Sequence, residues 1–134
     1  MAGGKSDYLE TTWFNFSLRG SAFSSPTTVY LALYTSSPSD SSAGTEVATA
    51  GGTSYVRQAI TFGAPSNSSA SNSGTVTFPI AGASWGTIVA WAITDSATYG
   101  AGNQLYWGSM NTNRTINTGE QITFPTGQIT VGES

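Results

Sequence analysis

The chain has 134 residues, which is one domain of ordinary size. Only 8% of them are charged, against about 25% in typical soluble domains, and the net charge is −3. The basic residues Lys5, Arg19, Arg57 and Arg114 are scattered, with no basic stripe to suit nucleic acid, and the absence of Cys and His excludes disulfides, thiolate or imidazole metal ligands and the Ser-His-Asp and Cys-His catalytic arrangements.

Residues 6–18 read as the one helix. Asp7 can cap it, with Glu10 three residues later in a capping-box arrangement. Leu9, Thr12, Trp13 and Phe16 share one face at helical spacing, and Gly20 follows as a stop. The face suits either a docking arm for a partner or a plug over one end of the chain's own core. Thr28–Thr35 reads as a strand between Pro26 and Pro38. Val29, Leu31 and Leu33 line one side and Tyr30, Ala32 and Tyr34 the other, so both sides are expected to be covered. Ser36–Ser54 is a long Ser-, Gly- and Ala-rich connection, anchored at most by Val47. Such loops either reach a neighbouring subunit or are simply flexible.

Tyr55–Phe62 is expected to be a strand, with Val56, Ile60 and Phe62 on one face and Tyr55, Arg57 and Thr61 on the other. Gly63–Gly74 reads as a linker. Thr75–Ile80 alternates, with Val76, Phe78 and Ile80 inward, and Pro79 places its end at an edge. Ser84–Thr94 carries Trp85, Thr87, Val89, Trp91 and Ile93 on one face. Ile88, Ala90 and Ala92 line the other, where small residues allow close packing. Asn103–Met110 follows the turn Gly100–Gly102. Arg114–Asn117, Gln121–Phe124 and Gln128–Val131 complete the set, joined by turns at Gly119 and Gly127. About eight short strands with close turns predict a mostly β chain. The expected form is a single-domain, jelly-roll-like antiparallel β-sandwich over 26–134, preceded by an N-terminal arm over 1–25 with the amphipathic helix.

The 20 Ser and 20 Thr replace the missing charge with hydroxyls, a surface that suits permanent protein contacts. Asp95 and Glu120 are the only acids whose strand order suggests a pair, and both adjoin turn residues where acids are ordinarily solvated. Asp40 and Glu46 share a loop without the density of a calcium site. Trp85, Trp91 and Trp107 suit a sandwich core better than a sugar-stacking platform, because they alternate with small or polar residues. No enzyme activity, cofactor or metal is expected. No secretory leader is read, and no apolar run approaches the roughly 18 residues of a membrane helix.

Six stretches occur in a fixed order. They are Pro26-Thr-Thr-Val-Tyr-Leu-Ala-Leu-Tyr-Thr35, Gly44-Thr-Glu-Val47 and Gly51-Gly-Thr-Ser-Tyr-Val-Arg-Gln-Ala-Ile-Thr-Phe62, then Phe78-Pro-Ile-Ala-Gly-Ala-Ser-Trp-Gly-Thr87, Gly102-Asn-Gln-Leu-Tyr-Trp-Gly108 and Asn117-Thr-Gly-Glu120. With Ser6-Asp-Tyr-Leu-Glu10 at the start, the whole chain resembles small tailed-phage and prophage virion proteins, usually labelled tail-fibre or virion structural proteins. It is also similar to phage capsid cement (decoration) proteins. The resemblance implies a capsid cement protein on the outer capsid surface, binding the major capsid protein and itself as a dimer or trimer. A tail or tail-fibre component, with glycan binding through exposed aromatics, is the alternative. The expected partner contacts are Leu9, Trp13, Phe16, Val47 and Tyr55.

Overall fold

The computed structural model describes residues 3–132. Its elements in chain order are β1 (Gly3–Lys5), α1 (Asp7–Arg19), β2 (Val29–Ser36), β3 (Thr45–Glu46), β4 (Gln58–Ile60), β5 (Ser69–Ser71), β6 (Val76–Thr77), β7 (Gly86–Thr94), β8 (Gln104–Ile116), β9 (Thr123–Phe124) and β10 (Thr130–Gly132). The main sheet runs β1-β8-β7-β2, and the far side of β2 is shared by β3 and β4. Two antiparallel ribbons, β5 with β10 and β6 with β9, make up the second layer. Every pairing among the described residues is antiparallel, and they are mostly β with one helix, as the alternating runs require.

One core joins the layers. Leu31, Leu33, Trp91 and Ile93 of the main sheet meet Val76, Phe78, Ile122 and Phe124. Phe78 sits among aromatic neighbours, with ring centroids 6.1 Å from Tyr55, 6.2 Å from Trp85 and 6.1 Å from Phe124. The buried Trp85 indole N–H donates to the Thr53 carbonyl at 2.8 Å, so its one polar atom is satisfied. On the reverse of the sheet, Ala32, Tyr34, Ala90 and Ala92 form a smaller cluster against Trp107. The small residues of β7 make room for these rings, and β2 is covered on both sides as expected.

Side-chain alternation breaks in β7. Ile88 joins Trp85, Trp91 and Ile93 in the main core, while Val89 packs with Ala90 and Ala92. The cause is a register jump. Ile88 faces Arg114 and Ala90 faces Ser109, so Val89 alone stands opposite Met110–Asn113. A bulge of this kind reverses which side chains point inward. It also lets β8 run continuously through two segments that read separately in the sequence. Gly108 is required beside it, since a Cβ there would lie 2.4 Å from Trp91 Cζ2.

Two other expected faces change. Tyr55 and Arg57 are buried and Val56 is exposed, because the polar partners of Tyr55 and Arg57 lie inside. Ile80 is exposed, since Pro79 interrupts the strand and Ala81 takes the buried position, its N–H donating to the Glu120 carbonyl at 2.8 Å. The apparent linker 63–74 is also partly ordered. It holds β5 and the buried Asn72, whose Nδ2 donates to the Gly74 and Pro125 carbonyls at 2.7 and 3.1 Å. Its Oδ1 accepts from the Ile129 N–H at 2.9 Å.

Candidate functional site

The helix α1 is built as expected except at its cap. Ser6, not Asp7, is the N-cap, and its Oγ accepts the Leu9 N–H at 3.2 Å. The Ser6 hydroxyl donates to the Gln104 carbonyl, and the Ser6 and Asp7 N–H groups donate to Leu105 and Asp40 carbonyls, each at 2.9 Å. These bonds tie the first turn to the start of β8 and to the 36–44 loop. Gly20 closes the helix with φ 71°, a left-handed conformation that suits glycine.

Beyond the first turn the helix leaves the body. Leu9 is 8% exposed, but Trp13 and Phe16 are each 46% exposed, Phe14 59% and Leu18 76%. Trp13, Phe16 and Phe23 form an aromatic strip, with centroids 5.4 and 6.4 Å apart in sequence. Beneath it lies a cleft of about 410 Å³ lined by Leu9, Trp13, Phe23, Pro65 and Val131. At 100° per residue, Leu18 stands on the side of α1 opposite Leu9, and Phe14 lies near it. The helix is therefore apolar on two sides while the chain covers part of one. The result is an exposed apolar surface on a helix that the body covers only at its first turns.

The expected contacts divide. Trp13 and Phe16 stand on this surface and Leu9 at its root. Val47 and Tyr55 are 1% and 3% exposed, so their side chains are not presented to a partner, which corrects that expectation. Val47 continues the β2 edge, its N–H donating to the Leu33 carbonyl at 3.0 Å. The Tyr55 hydroxyl accepts the Leu33 N–H at 3.0 Å and donates to Glu46 Oε2 at 2.7 Å. Phe14 and Leu18 lie off the Leu9–Trp13–Phe16 stripe that the helical spacing picks out. Their spacing of four residues opposite Leu9 was the available sign.

The chain's buried charges serve folding. Arg57 Nε and Nη2 donate to Glu46 Oε2 and Oε1, both at 2.8 Å, and the two side chains are 4% and 7% exposed. Arg57 Nη1 donates to Thr94 Oγ1 and to the Ser96 and Ala101 carbonyls, so this one side chain pins the 95–102 loop to the β2–β3 edge. Burial opposes the Arg57 charge, but the hydrogen bonds and field of Glu46 outweigh it and raise the guanidinium pKa. Burial, reinforced by Glu46, pushes the Tyr34 hydroxyl up to about 12 and the Tyr55 hydroxyl up as well.

Asp95 and Glu120, the acids that strand order suggests as a pair, each cap a turn. Asp95 Oδ1 and Oδ2 accept from the Asn103 backbone N–H and Nδ2 at 2.6 and 3.0 Å, and Glu120 Oε1 accepts from the Asn117 N–H at 2.6 Å. Trp85 and Trp91 are buried in the core, as their alternation suggests, whereas Trp107 is half-buried on the reverse of the sheet, where its Nε1 donates to Asp40 Oδ1 at 2.8 Å, so the three form no common platform.

This chain belongs to the family described as podophage GP4 fiber I protein gp80, whose model matches residues 4–132. It is thus a member of a phage fibre-type structural family, in agreement with its likeness to tailed-phage virion proteins. No curated protein matches it.

Proposed function

We propose that this chain is a structural subunit of a podophage fibre, without enzymatic activity, held in the particle by its N-terminal arm while the β-body gives it rigidity. The observation that carries this reading is α1, a helix with aromatic and aliphatic groups on two sides and only Leu9 buried. Covering such groups returns about 1.5–3 kcal/mol for each side chain fully buried. The low charge of 8% keeps the desolvation cost of a permanent contact small. The match to a fibre family favours this placement over capsid cement, in which the same arm would grip the major capsid protein on the outer capsid surface. The partners on either placement are virion proteins and further copies of the chain.

The test is location and copy number. Antibody labelling of purified particles, with quantitative mass spectrometry, is expected to place a limited number of copies on fibres. Hundreds of copies spread over the head would overturn the fibre placement in favour of cement. Absence from the particle would overturn both.

A further inference from the structure

We infer that the cavity on the reverse of the main sheet, between the β2–β3 edge and the 95–102 loop, is a binding site for one ring of a neutral saccharide. The site stands apart from α1 and does not depend on where the chain sits in the particle.

The cavity has a volume of about 210 Å³, and Tyr34, Glu46, Arg57, Tyr99, Ala101 and Gln104 are among its walls. Sites for drug-sized ligands run to roughly 300–1,000 Å³, so this one suits a single ring. Four observations select the ligand. The first is unpaired polar groups. Tyr34 is 3% exposed, yet its hydroxyl has no hydrogen-bond partner among the described residues. Glu46, Arg57 and Tyr99 all act on that hydroxyl electrostatically, which sets it among the cavity walls. Gln104 Nε2 donates to the Ser39 carbonyl at 2.9 Å, while its buried Oε1 has no partner among the described residues. Buried polar groups are nearly always paired, so two exceptions at one cavity suit a polar guest. The second is valence. A carboxylate oxygen accepts about two hydrogen bonds, and Glu46 Oε2 already has two, from the Tyr55 hydroxyl and Arg57 Nε. Oε1 has one, from Arg57 Nη2 at 2.8 Å, and Nη2 carries a second N–H. One acceptor and one donor are therefore left side by side, a pattern that two neighbouring sugar hydroxyls satisfy. The third is charge. Glu46 and Arg57 neutralise each other, and the lining holds no other charged side chain. An anion would meet Glu46 and a cation Arg57, so an uncharged ligand is selected. The fourth is the mouth. Tyr99 is 45% exposed on the 95–102 loop, which Arg57 holds through the Ser96 and Ala101 carbonyls. Its ring is a flat apolar body with a polar tip, which suits the C–H face of a sugar.

The experiment is amide NMR of the isotope-labelled full-length chain, titrated with methyl glycosides of neutral hexoses and of N-acetylhexosamines, with glycerol as the control polyol. The titration runs to about 50 mM, well above the millimolar strength expected of a single ring. At least one glycoside is expected to give saturable shifts at Tyr99, Gly100 and Ala101 that glycerol does not give. Tyr34→Phe removes only the unpaired hydroxyl, and is expected to weaken binding roughly fivefold without lowering the thermal midpoint. Tyr99→Ala is expected to weaken binding about tenfold. Tyr8→Ala, which removes a similarly exposed ring on α1, is expected to leave it unchanged. No saturable shift with any glycoside, shifts centred away from the 95–102 loop, or an equal response to glycerol would overturn the inference. So would Tyr34→Phe binding as tightly as the wild type, or a loss on Tyr8→Ala rather than on Tyr99→Ala. A lower thermal midpoint for Tyr34→Phe would overturn it as well, since the hydroxyl would then have a partner within the fold. A chain that binds no sugar yet is found on fibres would leave the structural reading standing.

Discussion

Replacing Arg57 by Met tests whether the chain's buried ion pair is a true interior charge. The substitution keeps an unbranched apolar stem but removes every bond of the guanidinium. Glu46 would keep only the Tyr55 hydroxyl as a donor, and the Ser96 and Ala101 carbonyls would lose theirs. Removing one partner of a buried pair costs about 3–5 kcal/mol, because the remaining charge is uncompensated. A domain of this size has roughly 5–15 kcal/mol in total, so the loss is a large share of its stability. Urea unfolding followed by the fluorescence of the buried Trp85 and Trp91 measures it at fixed protein concentration. With a slope of about 1.5 kcal/mol per molar, the midpoint is expected to fall by about 2–3 M. Adding Glu46→Gln removes the stranded charge and is expected to recover about 1.5–3 kcal/mol, the coupling typical of residues in direct contact. A loss below about 1 kcal/mol, the range of exposed pairs, or no recovery in the double variant would refute the reasoning.

Two further perturbations probe features that hold the layers together. Asn72→Leu leaves the Ile129 N–H and the Gly74 and Pro125 carbonyls without their side-chain partner, and is expected to cost about 3 kcal/mol. Thermal denaturation should then show a fall of about 10 °C, and an unchanged midpoint would mean that water replaces all three bonds. High pH is expected to unfold the chain through Tyr34 and Tyr55. Burial raises both hydroxyls above the ordinary value of 10.0, Tyr34 to about 12, so above pH 10 the folded state holds protons that the unfolded state has lost. The stability they contribute is intact below pH 10 and drains away as the pH rises through 12, by about 1.4 kcal/mol per pH unit for each group. Phenolate absorbance from these two residues should appear together with the Trp fluorescence change. Their ionisation in a chain that stays folded would contradict the assignment.

What could be read along the chain was local. The run Val29–Tyr34 alternates and is covered on both sides in the sheet, because period-2 patterning is a property of the strand itself. Gly20, Gly119 and Gly127 mark a stop and two turns in the sequence, and all three have positive φ, since a left-handed backbone favours glycine. The family likeness was equally legible, because it lies in ordered stretches of residues.

The tertiary structure decided what depends on distant partners. The Val89 bulge exists only through its register with β8, so nothing in the local pattern marks where inward and outward exchange. Asn72 looked like one more polar linker residue until Pro125 and Ile129 came within hydrogen-bonding reach. Tyr55 turned inward because Glu46 and Leu33 wait for its hydroxyl, which removed it from the contact surface. The sequence determined that α1 would form, and that it would carry an apolar stripe. Only the folded chain decided that its body meets the helix chiefly at Leu9, leaving Phe14 and Leu18 exposed, because burial is set by what the rest of the molecule places against a surface.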